Sequence, residues 1–153
     1  MRITNARDLI ISAGTTALSR ESFKLIEELP PTDANAPLTW WRTRMPNQFR
    51  RKDAASLRIA LAGTRIIGEP RWQDAATGDD KSYAATAIGI CVRQMKEHPV
   101  TAPEVDIAVS ATLAYALLGD AACAVLMSWA LKHRATIDPP CAQLSDLWLI
   151  ADF

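Results

Sequence analysis

Residues 107–131, IAVSATLAYALLGDAACAVLMSWAL, carry one charged side chain, Asp120, close to their middle. A run of that length and character either crosses a membrane or fills the centre of a globular core. Asp120 decides between them. A carboxylate in mid-span costs about 2.5–3.5 kcal/mol on insertion scales. Gly119-Asp120 also reads as a helix stop followed by a helix N-cap. The run is therefore expected to be two buried helices, 104–118 and 121–132, and no membrane role is expected. Both are apolar almost all round, the pattern of elements covered on most sides. They should form a central hairpin with the other helices around it.

The rest of the chain follows a helical period nearly throughout. Asn5 and Asp8 suit the start of a helix over 6–17, and Ser19 can cap a second running to Leu29, where Pro30 and Pro31 stop it. PPTDANAPL, residues 30–38, is a proline-rich connector. Pro46 interrupts any long helix in the segment that follows. Asp53 sits where an N-cap belongs, ahead of a helix over 54–67 with Gly68 near its end; EPRWQDAATGDD, 69–80, is expected to be loop. A helix over 82–97 is stopped by Pro99. Thr101 as cap, Pro103 in the early turn and Glu104 in the first turn open the helix over 104–118. A last short helix over 141–150 follows Pro139-Pro140. Alternation at period two is scarce, so little sheet is expected. The fold expectation is all-α: a single domain over 1–153, a compact bundle of about six or seven helices around the apolar hairpin.

Several chemistries lack their residue patterns. The candidate metal ligands are Cys91, His98, Cys123, His133 and Cys141, and none forms the close pair that fixes half a tetrahedral zinc site. Cys91 and His98 are seven residues apart, about 10 Å along a helix axis, too far to share one ion. No Gly-x-Ser-x-Gly elbow, GxGxxG or Walker loop is present. Glu27 and Glu28 point about 100° apart on a helix and do not converge on a substrate. Three cysteines, an odd number without CxxC spacing, suit a reducing cytoplasm rather than a disulfide framework. The expectation is a non-enzymatic protein with no cofactor and no metal. An enzyme with a helical pocket would need Cys91 or His133 at a cleft.

One stretch stands out as a working surface. TWWRTRMPNQFRRKD, residues 39–53, places two tryptophans and five cations before a single acid. The net charge of the chain is zero, yet residues 1–76 hold 12 Lys/Arg against 8 Asp/Glu and residues 77–153 hold 5 against 9. Arg50, Arg51 and Lys52 crowd a helix N-terminus, where the dipole is already positive and an anion is wanted. Arg51, Arg58 and Arg65 recur every seven residues, within about 20° of two full turns, so Arg58 and Arg65 are expected to share an outward stripe with Arg51 just before it. The stretch could face acids of its own chain, such as Glu27, Glu28, Asp79 or Asp80. It could also face an acidic protein surface, where Trp and Arg form hot spots, or nucleic acid, whose bases stack on aromatic rings.

The reading taken is a binding protein, a regulator or inhibitor of a larger protein. Its partner-binding residues would be Trp40, Trp41, Arg42, Arg44, Arg50, Arg51, Lys52, Arg58 and Arg65, set against an acidic surface of that partner. The alternative is a small nucleic-acid-binding protein using the same residues. A homodimer is a further option, because a second copy can cover an all-apolar hairpin.

Overall fold

A helix that is apolar on every side has to be wrapped, and wrapping Pro103–Leu117 is what arranges the other elements. The computed structural model describes residues 36–78 and 81–151. These hold a 3-10 helix over Ala36–Arg42, a second over Pro46–Gln48, and six α-helices: α1 Lys52–Ala62, α2 Trp72–Thr77, α3 Ser82–Glu97, α4 Pro103–Leu117, α5 Ala121–Arg134 and α6 Cys141–Ile150. No strand occurs among the described residues. The fold is all-α, a helical bundle of the expected size. The helices expected over 6–17 and 19–29, most of the connector, and the pairs Glu27-Glu28 and Asp79-Asp80 lie outside the described residues.

Every residue of α4 from Ala108 to Leu117 is buried, as is Val105. α1, α3, α5 and the first 3-10 helix all pack against it. Four of its buried positions, Ala108, Ala111, Ala114 and Ala116, are alanine, which lets neighbouring backbones come close. Its buried hydroxyls are satisfied. Ser110 Oγ donates to the Leu38 carbonyl at 3.0 Å and Thr112 Oγ1 to the Ala108 carbonyl at 3.3 Å. A buried hydroxyl without a partner would cost about 1–3 kcal/mol. The first of these bonds also fixes where the 3-10 helix lies.

The hairpin turn forms as the sequence suggests. Gly119 takes φ +98°, the left-handed region that glycine reaches without a Cβ penalty. Asp120 caps α5 by accepting from the Cys123 N–H at 2.9 Å. The burial of the two arms differs from expectation. α5 buries Cys123, Met127, Ser128, Ala130 and Leu131 against α4 and α6, while Ala121, Ala122 and Val125 face outward, Val125 with 59% of its surface exposed. Small apolar residues fill a hydrophobic pattern but do not require cover. α6 docks on α5 through a buried hydroxyl pair, Ser128 Oγ and Ser145 Oγ at 2.8 Å.

Three local expectations are corrected. α1 stops at Ala62 rather than 67, because the chain turns at Gly63 and Thr64, whose hydroxyl donates to the Leu61 carbonyl at 2.6 Å. The loop expected over 69–80 contains α2, held by Trp72, which is buried and donates its indole N–H to Thr64 Oγ1 at 3.1 Å. The caps also shift. Asp53 lies in the first turn of α1, where its Oδ2 accepts from the Arg50 backbone N–H at 2.8 Å. α4 is preceded by Ala102, with no side-chain cap from Thr101.

The fully buried Leu117 and the exposed Val125 separate the two arms of the hairpin energetically. Leu117→Ala should lower the free energy of unfolding by about 2–5 kcal/mol, through lost transfer energy and a residual cavity. Val125→Ala should stay within about 0.5 kcal/mol of the parent. Urea unfolding followed by circular dichroism measures both.

Candidate functional site

The Trp/Arg stretch divides into an inward half and an outward half. Trp41 is completely buried. Its indole N–H donates to Asp106 Oδ1 at 2.8 Å. Arg42 grips the same carboxylate from Nε to Oδ1 at 2.9 Å and from Nη2 to Oδ2 at 3.0 Å. A fork of this kind is stronger than a neutral hydrogen bond and fixes geometry as well. The hydrogen bond to Asp106 holds the Arg42 guanidinium even more firmly protonated than usual, against the opposing effect of its burial. Trp41 and Arg42 therefore hold the first 3-10 helix to α4; neither is an outward contact residue. The counter-charge is Asp106, which was not among the acids considered from sequence.

Trp40 and Arg44 stack on each other. The Arg44 guanidinium carbon lies 3.9 Å from the Trp40 ring centroid and 5.7 Å from that of Phe49. Phe49 in turn leans on Trp40 at 6.4 Å and on Trp148 at 6.1 Å between ring centroids. Arg44 Nη1 reaches Asp53 Oδ2 only at 4.0 Å. Arg50, Arg51 and Lys52 are exposed at the start of α1, and no carboxylate among the described residues lies within ion-pair distance of them. The spent capacity of Asp53 goes to the Arg50 backbone and to Arg44.

The expected outward stripe of arginines does not form. Arg58 is half-buried, donates from Nη1 to the Gly78 carbonyl, and lies 5.0 Å from the Tyr115 ring centroid. Tyr115 Oη donates to the same Gly78 carbonyl at 3.2 Å. Gly78 has no room for a Cβ, which would strike the Tyr83 ring and the Asp74 carbonyl. Arg65 is exposed but lies beyond the end of α1, so it shares no helix face with Arg58. The contiguous outward set is Arg44, Arg50, Arg51 and Lys52, with Trp40 beneath Arg44.

Two further features are not visible in the sequence pattern. A groove of about 530 Å³ opens beside the basic set, walled by Met45, Pro46 and Phe49 on one side and by Leu147 and Ile150 of α6 on the other. Elsewhere, Ile67 is 98% exposed at the tip of a tight turn in which the Glu69 N–H donates to the Ile66 carbonyl at 3.2 Å and Gly68 takes φ +86°. The turn is anchored through Glu69, a buried carboxylate. It accepts from Arg93 Nη2 at 2.7 Å, Arg93 Nε at 3.1 Å and Gln94 Nε2 at 3.0 Å. The Arg93 bonds hold the Glu69 carboxyl below its ordinary range, and burial opposes them only in part.

The three thiols are inward. Burial raises Cys91 to about 12 and Cys141 to about 11, and it pushes Cys123 well above the ordinary thiol range. None sits at a cleft as a nucleophile requires. His133 is exposed at the end of α5, its ring 4.4 Å from that of Trp129. No group of three His, Cys, Asp or Glu residues among those described is placed to hold a metal ion, and none of their helices is long and apolar enough to cross a membrane. No family model, curated protein or solved structure matches this chain.

Two outcomes follow for solution. Because the folded Glu69 titrates below its ordinary value of 4.5, its stabilising contribution is complete above that value and is lost as the pH falls through the lower folded one. Glu69→Gln should cost about 1.5–3 kcal/mol at neutral pH, the scale of hydrogen bonds to charged groups. The loss should shrink towards acid, and parallel urea titrations of both proteins at several pH values would show it. Iodoacetamide at pH 8 should leave all three cysteines unmodified in the native protein and label them after denaturation, with mass spectrometry as the readout. Rapid native labelling of one cysteine would reopen the enzyme reading.

Proposed function

We propose that this is a non-enzymatic binding protein, a regulator or inhibitor that acts by contact with an acidic surface of a larger protein. The observation that carries the reading is the run Arg50, Arg51 and Lys52, exposed and without a counter-charge among the described residues. No described carboxylate uses these cations in the fold. Three like charges at the positive end of α1 repel one another and the helix dipole. Carboxylates on a partner relieve that repulsion and can be gripped by arginine forks.

Nucleic acid is the alternative for the same cations. Base stacking needs open aromatic faces beside them. Trp41 is buried, and Trp40 carries the Arg44 guanidinium on one face. That arrangement favours a protein partner.

The test is a triple charge reversal, Arg50→Glu, Arg51→Glu and Lys52→Glu. The variant should melt no lower than the parent, because acids suit a helix N-terminus. It should lose the proteins that co-purify with the parent from cells of the source organism. Capture of the same proteins by parent and variant would sink the proposal. Labelled single- and double-stranded oligonucleotides, titrated with salt, run alongside. Tight binding that weakens steeply as salt rises and vanishes in the reversal would transfer the face to nucleic acid.

A further inference from the structure

We infer that the partner presents an amphipathic helix whose apolar face sits in the groove between the second 3-10 helix and α6, with carboxylates along one flank. The inference rests on the basic face proposed above and says what that face accompanies. The groove, about 530 Å³, has largely apolar walls: Met45, Pro46 and Phe49 face Leu147 and Ile150. Met45 and Ile150 remain 41% and 78% exposed, so the fold leaves much of their apolar surface in water. Leu147 and Ile150 are three residues apart on α6, hence on one face, and the wall they make follows the α6 axis. A second helix laid along such a wall can interleave its side chains as ridges into grooves. Met45 adapts its shape to more than one occupant.

The charges around the groove select the occupant. Phe49 is common to the groove wall and to the basic set: Arg44 lies 5.7 Å from its ring centroid, and Arg50 is the next residue in the chain. The opposite wall carries no cation, and exposed Asp146 directly precedes Leu147 there. Acids are therefore wanted on the flank that meets Phe49 and unwanted on the other. A second copy of this chain presenting the same face would bring cation against cation. Nucleic acid has no apolar ridge to fill the groove. A helix with apolar anchors at i, i+3 or i+4, and i+7, and acids beside them, meets both demands.

A phage-displayed library of helical peptides, randomised on all faces and selected against the immobilised full-length protein, provides the probe. Enriched peptides should share apolar residues at that spacing and Asp or Glu on one flank. Fluorescence anisotropy of the leading peptide should show at least about tenfold weaker binding to Ile150→Glu and to Met45→Glu, as expected for removal of central anchors. Both are exposed positions, and unchanged melting would verify the fold. The triple reversal at Arg50, Arg51 and Lys52 should weaken the same peptide, more so at low salt.

No enrichment, or a leading peptide indifferent to both groove variants, overturns the inference. Acidic peptides that lose binding in the reversal but not in Ile150→Glu would remove the groove and leave the basic face standing. Apolar peptides that need the groove but ignore the reversal would also overturn it, and would count against the basic face itself.

Discussion

Keeping the Ala108–Leu117 stretch of α4 out of water requires cover from every direction, and the cover comes from four other elements. Each fully buried large side chain contributes about 1.5–3 kcal/mol relative to exposure. That gain survives only if the polar atoms carried inward are matched. Ser110 meets this condition by taking the carbonyl of Leu38, and Tyr115 by taking that of Gly78. Both acceptors belong to segments outside the hairpin. The demands of α4 thus decide where the first 3-10 helix and the end of α2 lie, and with them where Trp40 and the cations that follow are displayed.

The basic stretch is used for two purposes that composition cannot separate. Arg42 is charge spent on architecture, since Asp106 neutralises it inside the bundle. Arg58 is spent in a similar way on a backbone carbonyl. Arg50, Arg51 and Lys52 are exposed and have no carboxylate partner among the described residues. Counting cations in the sequence therefore overstates the field that another molecule would feel. The zero net charge of the chain does not register the run of exposed cations that the described residues carry at the head of α1.

The all-α class and the break at Gly119-Asp120 were legible because they follow from local rules: an apolar run too long for one soluble helix, and a turn whose two residues have distinct chemistry. The ends of α3, α5 and α6 were legible for the same reason. The shortfall of α1 and the existence of α2 were not. Both depend on Trp72 reaching back to Thr64, a tertiary bond that no window on the sequence contains. The exposure of Val125 was hidden because a pattern registers apolar character without showing what covers it. The sequence marked the Trp/Arg segment but not its sidedness. Trp41 and Arg42 look the same on paper as Trp40 and Arg44; only the position of Asp106, more than sixty residues away, sorts one pair from the other.

That carboxylate has a consequence for how the molecule opens. Asp106 accepts three hydrogen bonds from two adjacent residues of the first 3-10 helix. Peeling that helix away would break all three hydrogen bonds at once and draw the fully buried Trp41 indole into water. The segment therefore has no inexpensive partial opening of its own. Its amides and those at the start of α4 are therefore expected to exchange together, although their positions in the chain are far apart. The exposed cations at the head of α1 thus follow in the chain a segment that its own side chains tie to α4.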